Sequence, residues 1–499
     1  MKTRTWMWST AMCLFAALAI ASQLIAQNGP QHQPKHHKHH QYKLYDVGTF
    51  GGPNSYPSFQ AISLTTAGAI GLAETPIPDP FSPYCFLDCV VGHAFLLRNG
   101  VTTDLGALPG NGGNSSYAFA INNRGLVIGL SENGAIDPIT GFPSTSPAAW
   151  LNGHIFNLGG FGGTQGYASM VNNRGQIVGA SSNTTPDPYA VSTWFPSTTQ
   201  VRAFVWEGGR MRDIGTLGGP DAWALVISDS GLVVGQSWTS FTPNPDTGVP
   251  TADPFLWNGT RIIDLGNLGG TFGGWPAWVN NQGQVVGYSG VPNGTVHAFL
   301  WDRGPITDLG TPGGYSSGAF WINEAGIITG FDNPTGYYAA TVLWNHGRMT
   351  ILGSLPGYDD WSQGNSINNA QQVVGFSSRS DSTSRGFLWE NGDMVDLNDL
   401  VQPPSDIVVT NPLQIDDRGL IVSNAVDPNG YSRVVVLVPN GDCDRSCEQR
   451  IADSQNNPPA VRPMNKDITM PRYGKPADWL RNPMVRPNPM FGPRPGPSN

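Results

Sequence analysis

Lysine is nearly missing from this chain: between residues 43 and 439 Lys43 stands alone, and that stretch holds 14 basic residues against 30 acidic ones. A body so poor in positive charge excludes nucleic acid as its partner, because duplex binding draws on clustered Lys and Arg. Charged residues of both signs make up only 13% of the 499 residues, and no segment places apolar residues at helical spacing, which excludes an amphipathic helical fold. Long hydrophobic runs are missing too. The one apolar stretch, around AMCLFAALAIA, falls short of the roughly 20 residues a spanning helix needs, so no transmembrane segment is expected. No G-x-S-x-G, H-E-x-x-H, phosphate-loop or dinucleotide fingerprint stands in a suitable strand-to-helix context, so no catalytic apparatus is legible by motif.

The ends of the chain are easier to read. Lys2 and Arg4 precede the apolar run, and Ala19, Ala21 and Ala26 follow, which marks residues 1–26 as a secretory signal peptide cut after Ala21 or Ala26. Cys13 sits ahead of most of that run, the wrong place for a lipid anchor. Residues 27–42 form a His-rich linker, in which His36, His37, His39 and His40 could offer imidazoles to a transition metal. A polar tract with no acidic residue reads first as a tether. The cysteines outside the signal fall into two C-x-x-x-C pairs, Cys85 with Cys89 and Cys443 with Cys447. In an exported chain they imply disulfides, with three connectivities open, and the zinc signal is weak without neighbouring histidines.

With 63 glycines and 42 prolines, the rest of the chain is built from short apolar runs between turns. Residues 297–330, HAFLWDRGPITDLGTPGGYSSGAFWINEAGIITG, hold one complete unit of four strand-length runs. Trp150, Trp206, Trp257, Trp301, Trp344 and Trp389, with Leu97 in the same place, each stand seven residues before a DLG-like triplet. That constant interval across a Gly or Asn turn is a hairpin of fixed length. A second hairpin recurs as INNRGLVIG (121–129), VNNQGQVVG (279–287) and their copies, with a degenerate version at 62–71. Units that bury their faces only by stacking form a closed ring. The fold class expected is all-β, an eight-bladed β-propeller of four-stranded antiparallel blades over residues 43–439. The N-terminal strand KLYDVG should pair with SRVVVLVP (432–439) and complete the last blade. Residues 440–499, Pro-rich and with 9 basic against 6 acidic residues, are expected to be a mostly disordered tail.

Where HAFLW, DLG and INEAGIITG recur together, the sequence resembles the HAF-repeat family of extracellular bacterial proteins, over residues 45 to about 437. The His-Ala-Phe triplet stands at His93–Phe95 and His297–Phe299, and the strand order is similar to a kelch-type blade. The resemblance implies an exported repeat protein and carries over no catalytic residue. Copies such as PAAW (147–150), DPFLW (253–257) and ATVLW (340–344) dispense with the His, which argues against a metal or catalytic role for it.

Two recurrent features read as structural. The Asp of the DLG-like triplet, at 46, 104, 213, 264, 308 and 396, is expected to accept backbone N–H groups beside a Gly turn, and the repeated Trp to pack blade on blade. Residues outside the repeat are the better site candidates. The long links between second and third strands of blades one to four carry Asp79, Asp137 and Asp187, each before Pro, and Asp246 in NPDTG. Tyr189, Trp194 and Trp238 are near them. Aromatics with carboxylates on one face could hold a carbohydrate, and the oxygens could hold calcium, although Asp-Pro and Asp-Thr-Gly are also ordinary turn formers. The reading is a secreted, monomeric binding or interaction module with a polysaccharide or protein ligand, no catalytic residue and no required cofactor. Its rivals are an extracellular polysaccharide hydrolase or lyase using link carboxylates, and an envelope-attached structural protein held by its tail.

Overall fold

The structure is a computed structural model that describes residues 39–440, apart from 59–61, 83–87, 110–113, 190–197 and 313. The expected signal peptide, most of the linker and the tail lie outside the described residues, as do His36, His37, Cys85, Trp194, Cys443 and Cys447. The chain divides at His39 and His40 into two compact units, and the second contains all that follows.

Eight antiparallel sheets succeed one another along the chain, which makes the molecule an eight-bladed β-propeller. Blade three shows the order: Gly162–Val171 innermost, then Ile177–Pro186, Thr199–Glu207, and Arg210–Asp213 at the rim. Blade one departs from it, because its innermost strand is split into Ser55–Pro57 and Leu64–Thr65, both paired with Gly68–Pro78. That split is the structural form of the degenerate repeat. The eighth blade takes three strands from residues 408–439 and its fourth from Tyr42–Asp46. Tyr42 pairs with Pro439 and Asp46 with Val435, so the two ends of the ring share one sheet. Pairing begins one residue inside the expected linker, and Tyr42 is fully buried there.

Close packing between second and third strands explains the recurrent Gly of the VVG hairpin. Gly235 pairs with Phe255 and Gly287 with Phe299, and both phenylalanines are completely buried. A Cβ on Gly235 would meet the Trp223 carbonyl oxygen at 1.9 Å and the Phe255 ring at 2.8 Å; on Gly287 the Trp275 oxygen would lie at 2.0 Å. Only a residue without a side chain lets the ring lie flat on the neighbouring backbone. The innermost strand bends at the same place in seven blades, where a bulge skips one residue: Phe119, Ser169, Leu225, Ala277, Phe320, Asn365 and Leu413. Such a bulge sharpens twist and curves the strand at a barrel-like corner. The repeated Trp packs between blades: Trp344 donates its indole N–H to the Leu309 carbonyl of the preceding blade at 3.2 Å, and Arg212 of blade three lies 4.8 Å over the Trp257 ring of blade four.

Replacing Gly235 by Ala is expected to destabilise the fold by about 1–3 kcal/mol through overpacking, while Gly304→Ala, where the nearest atom stands at 3.8 Å, stays within measurement error. Thermal denaturation of both variants checks this, and equal melting temperatures would contradict the packing account.

Candidate functional site

The recurrent Asp does what its spacing implied. Asp104, Asp213, Asp264 and Asp308 accept the backbone N–H of the glycine two residues on, at 2.7–2.8 Å, and Asp46 does so with Gly48 at 2.9 Å. In Asp104, Asp213 and Asp308 the other oxygen meets a partner that the sequence reading passed over, a base eleven residues earlier, whereas Asp253 holds that place before Asp264. His93 Nδ1 lies 2.9 Å from Asp104, His297 Nδ1 lies 2.8 Å from Asp308, and Arg202 Nε lies 2.8 Å from Asp213. In the closing blade Arg433 stands 3.7 Å from Asp46. In blade seven burial pushes the Asp396 carboxyl up while Arg385 pulls it down. Where the base is missing the acid usually goes as well: Ser146 matches Asn157, and Ala340 matches Ile351. The His of the HAF triplet is therefore one half of a cross-strand pair holding the outer hairpin. The signal was in the sequence, in the covariation between blades.

The Asp-Pro aspartates are buried at the seams between blades. Asp79, Asp137 and Asp187 are 4%, 2% and 5% exposed, which removes them from the open surface of the links. Each accepts a backbone N–H from its own turn: Phe81 at 2.8 Å, Ile139 at 2.9 Å and Tyr189 at 3.0 Å. Each also faces the next blade. Burial raises the Asp137 carboxyl, but the Thr164 hydroxyl of blade three and the Thr140 and Ile139 N–H groups outweigh it and hold it below the usual range. Among the described residues Asp79 Oδ2 has no donor, and its charge adds to the burial that lifts Glu132 of blade two to about 7, against the Ser115 N–H. Asp187 and Asp221 meet across the seam of blades three and four, each with Oδ2 lacking a donor among the described residues. Burial drives Asp221 to about 8, against the Val201 N–H, and Asp187 pushes it further. In blade one, Glu74 is lifted to about 9 by burial and by Asp88, which also accepts the Tyr56 hydroxyl.

Of the remaining described candidates, the structure brings Tyr189 and Trp238 together. Trp238 is 5% exposed, its ring 5.6 Å from Tyr189 and 6.4 Å from Trp223, so it packs into the wall of blade four. Tyr189 is half-buried, while Asp246 is exposed in a turn that Asn244 caps at 2.9 Å. His40 lies on the propeller: its backbone N–H and its Nδ1 reach Glu390 at 3.2 and 3.1 Å. Burial raises Glu390, yet Gln372 and His40 together hold it below the usual range.

A concave feature of the described residues lies on the opposite face, where the tight NNxG turns converge on the axis. A cavity of about 370 Å³ is lined by all eight blades. Its rim is the second residue of each turn, linked to the next by hydrogen bonds. The Asn123 N–H donates to Asn173 at 2.9 Å; Asn173 donates through N and Nδ2 to Asp229, both at 2.8 Å; and the Ser230 N–H donates to Asn281 at 3.1 Å. Asn281 holds Glu324, and Asn369 holds Asp417 with two bonds of 2.9 Å. Arg418 closes the circuit on the Thr65 carbonyl at 3.5 Å. Below the rim, the Trp278 and Trp321 rings stack at 3.7 Å and 17°. Aromatic surface under convergent polar groups is the make-up of a small-ligand site. No sequence motif flags it, because its residues are turn formers about one blade apart.

The buried carboxyls set a pH dependence. Glu132, Asp221 and Glu74 have folded values of about 7, 8 and 9, above the carboxylate values of 4.5, 3.8 and 4.5 that apply when unfolded. Their contribution is fully present below about pH 4 and is lost progressively as pH rises through 7 to 9. The melting temperature is expected to fall between pH 5 and pH 9, and Asp221→Asn to flatten that fall, as checked by thermal denaturation across the range. A pH-9 loss reversed by calcium in the parent but not in Asp221→Asn would mean that a cation takes the place of the proton.

No family model matches the chain, and no curated protein matches it. Among solved structures, similarity extends to the β-propeller domain of the Trilobed protease from Pyrococcus furiosus: TM-score 0.38, 9% identity, 66% of this chain and 96% of that one. A Mycobacterium tuberculosis puromycin-hydrolyzing peptidase matches with TM-score 0.36 and 16% identity over 62% of this chain. Trypanosoma rangeli sialidase matches with 0.31 and 9% over 68%. The matched part covers only 46% of the peptidase and 56% of the sialidase.

Proposed function

We propose that this protein is an exported binding module whose ligand enters the axial cavity. The observation that carries the reading is the convergence of eight turns into one pocket, with amide and carboxylate groups above a tryptophan pair. A rigid ring of hydrogen-bonded rim residues is already organised before the ligand arrives, which lowers the cost of binding. Export is inferred from the first 26 residues. The four cysteines outside that segment suit disulfides in an oxidising destination, with three connectivities open. Membership of the HAF-repeat family belongs to the same proposal and agrees with the recurrent His/Arg and Asp pairs.

A polysaccharide hydrolase is the second reading, favoured by the raised carboxyls of blades one to four. It ranks lower, because Glu74 and Asp221 are 1% and 0% exposed in blade seams, whereas glycosidic cleavage needs two carboxyl groups flanking an open cleft. An envelope-attached role would rest on the tail beyond residue 440.

Screening the mature protein against glycan and peptide arrays is expected to yield a ligand whose affinity drops about tenfold or more in Trp321→Ala and Glu324→Gln, a loss of roughly 1.4 kcal/mol or more. Should binding survive both substitutions and disappear in Trp194→Ala, the link face would be the site instead.

A further inference from the structure

The described lining of the axial mouth holds more acidic than basic side chains, although Arg174 reaches over Gly231 in the Asp229 turn. Asp229, Glu324 and Asp417 are exposed on its rim, and Arg418, the only basic residue among the lining side chains, is engaged by Asp416 at 2.6 Å. The hydrogen bonds that orient the three carboxylates come from neutral asparagine amides and backbone N–H groups, which fix a carboxylate without neutralising it. In blades four to six the order around the axis is Asp229, Trp278, then Trp321 with Glu324. Carboxylates beside indole rings favour an ammonium or guanidinium group, which gains from both the charge and the ring quadrupole.

We propose that this sector receives guanidinium and ammonium groups, and that its resident occupant is the basic C-terminal stretch of the same chain. The inference rests on the cavity being the ligand site and adds the chemistry of what fills it.

The last described residues lie on the right face. Pro439 lies against Gly419, in the same turn as Asp417, and the Asn440 N–H donates to the Gln41 carbonyl at 2.8 Å. The chain therefore leaves blade eight beside the cavity rim. Residues 471–499 carry Arg472, Lys475, Arg481, Arg486 and Arg494 against a single acid, Asp478. At about 3.3–3.6 Å per extended residue, the segment between 440 and 471 has ample length to bring them over the axis. Proline spacing suits such an occupant, because it restricts the conformations lost on docking.

Carbodiimide coupling of the mature full-length chain tests this. Outside residues 1–42 the lysines are Lys43, Lys466 and Lys475, so linkages from the tail are readily assigned by mass spectrometry. The expected result is that Lys466 or Lys475 couples to Asp229, Glu324 or Asp417 at least several-fold more than to the exposed Asp246, Asp302 and Asp393. Raising salt from about 0.05 M to about 0.5 M should remove that preference, since the Debye length shrinks several-fold. Glu324→Gln and Asp229→Asn should weaken coupling to the remaining rim carboxylates, while Asp302→Asn leaves it unchanged. An even spread over exposed carboxylates would overturn the proposal. So would linkages that appear only between chains in a mixture of isotopically heavy and light protein, which would make a second copy the occupant. Neither result touches the array test of Trp321 and Glu324, so failure here is distinguishable from failure of the cavity as a binding site.

Discussion

Ring closure is the constraint on which the structure depends. A four-stranded blade is too thin to bury both of its faces, so each must be covered by a neighbour, and the last blade must be covered by the first. The chain meets this by lending the strand Tyr42–Asp46 to the sheet that ends at Pro439. The same strand brings Asp46 into range of Arg433, so the closing blade repeats the acid–base pair of blades one, three and five with its two halves drawn from opposite ends of the ring. Closure also creates the axis, and with it the cavity. An open stack of the same sheets would hold the same turns in a row with no convergence among them.

The two faces of the disc are built by different means. On the link face, blades one to three carry extended second strands that lead into buried aspartates, each facing the next blade. Thr164 satisfies one of them, and acids at Glu132 and Asp221 meet the other two. Burial and the neighbouring acid push Glu132 and Asp221 up, which favours a proton held at each seam. On the turn face the polar groups are exposed and satisfied by neutral amides, so their geometry is fixed while their charge stays available to a ligand. On the proposed reading, recognition falls on the turn face and the buried acids lie on the other.

Much of the fold was legible because its signals are local and periodic. The Trp to Asp interval set the outer hairpin, the NNxG and VVG run set the inner one, and the incomplete units at the two ends pointed to each other. The acid–base pairs were equally visible in principle, since His93, Arg202 and His297 stand at one spacing from an acid, while Ser146 and Ala340 face Asn157 and Ile351. Reading the His of HAF by itself concealed this, because Arg does the same work at 202.

The sequence by itself determined the strands, the turns, the number of blades and the point where the ring closes, since each of these depends on residues within one repeat or on two complementary ends. It did not determine which polar residues would be buried and which would share a pocket. Asp187 looks like a surface turn until Asp221 of the next blade is laid against it, and Asp229, Glu324 and Asp417 look like unrelated loop acids until eight turns meet on one axis. Those outcomes depend on contacts between blades, whose partners are tens of residues apart and are brought together only by the curvature of the closed ring.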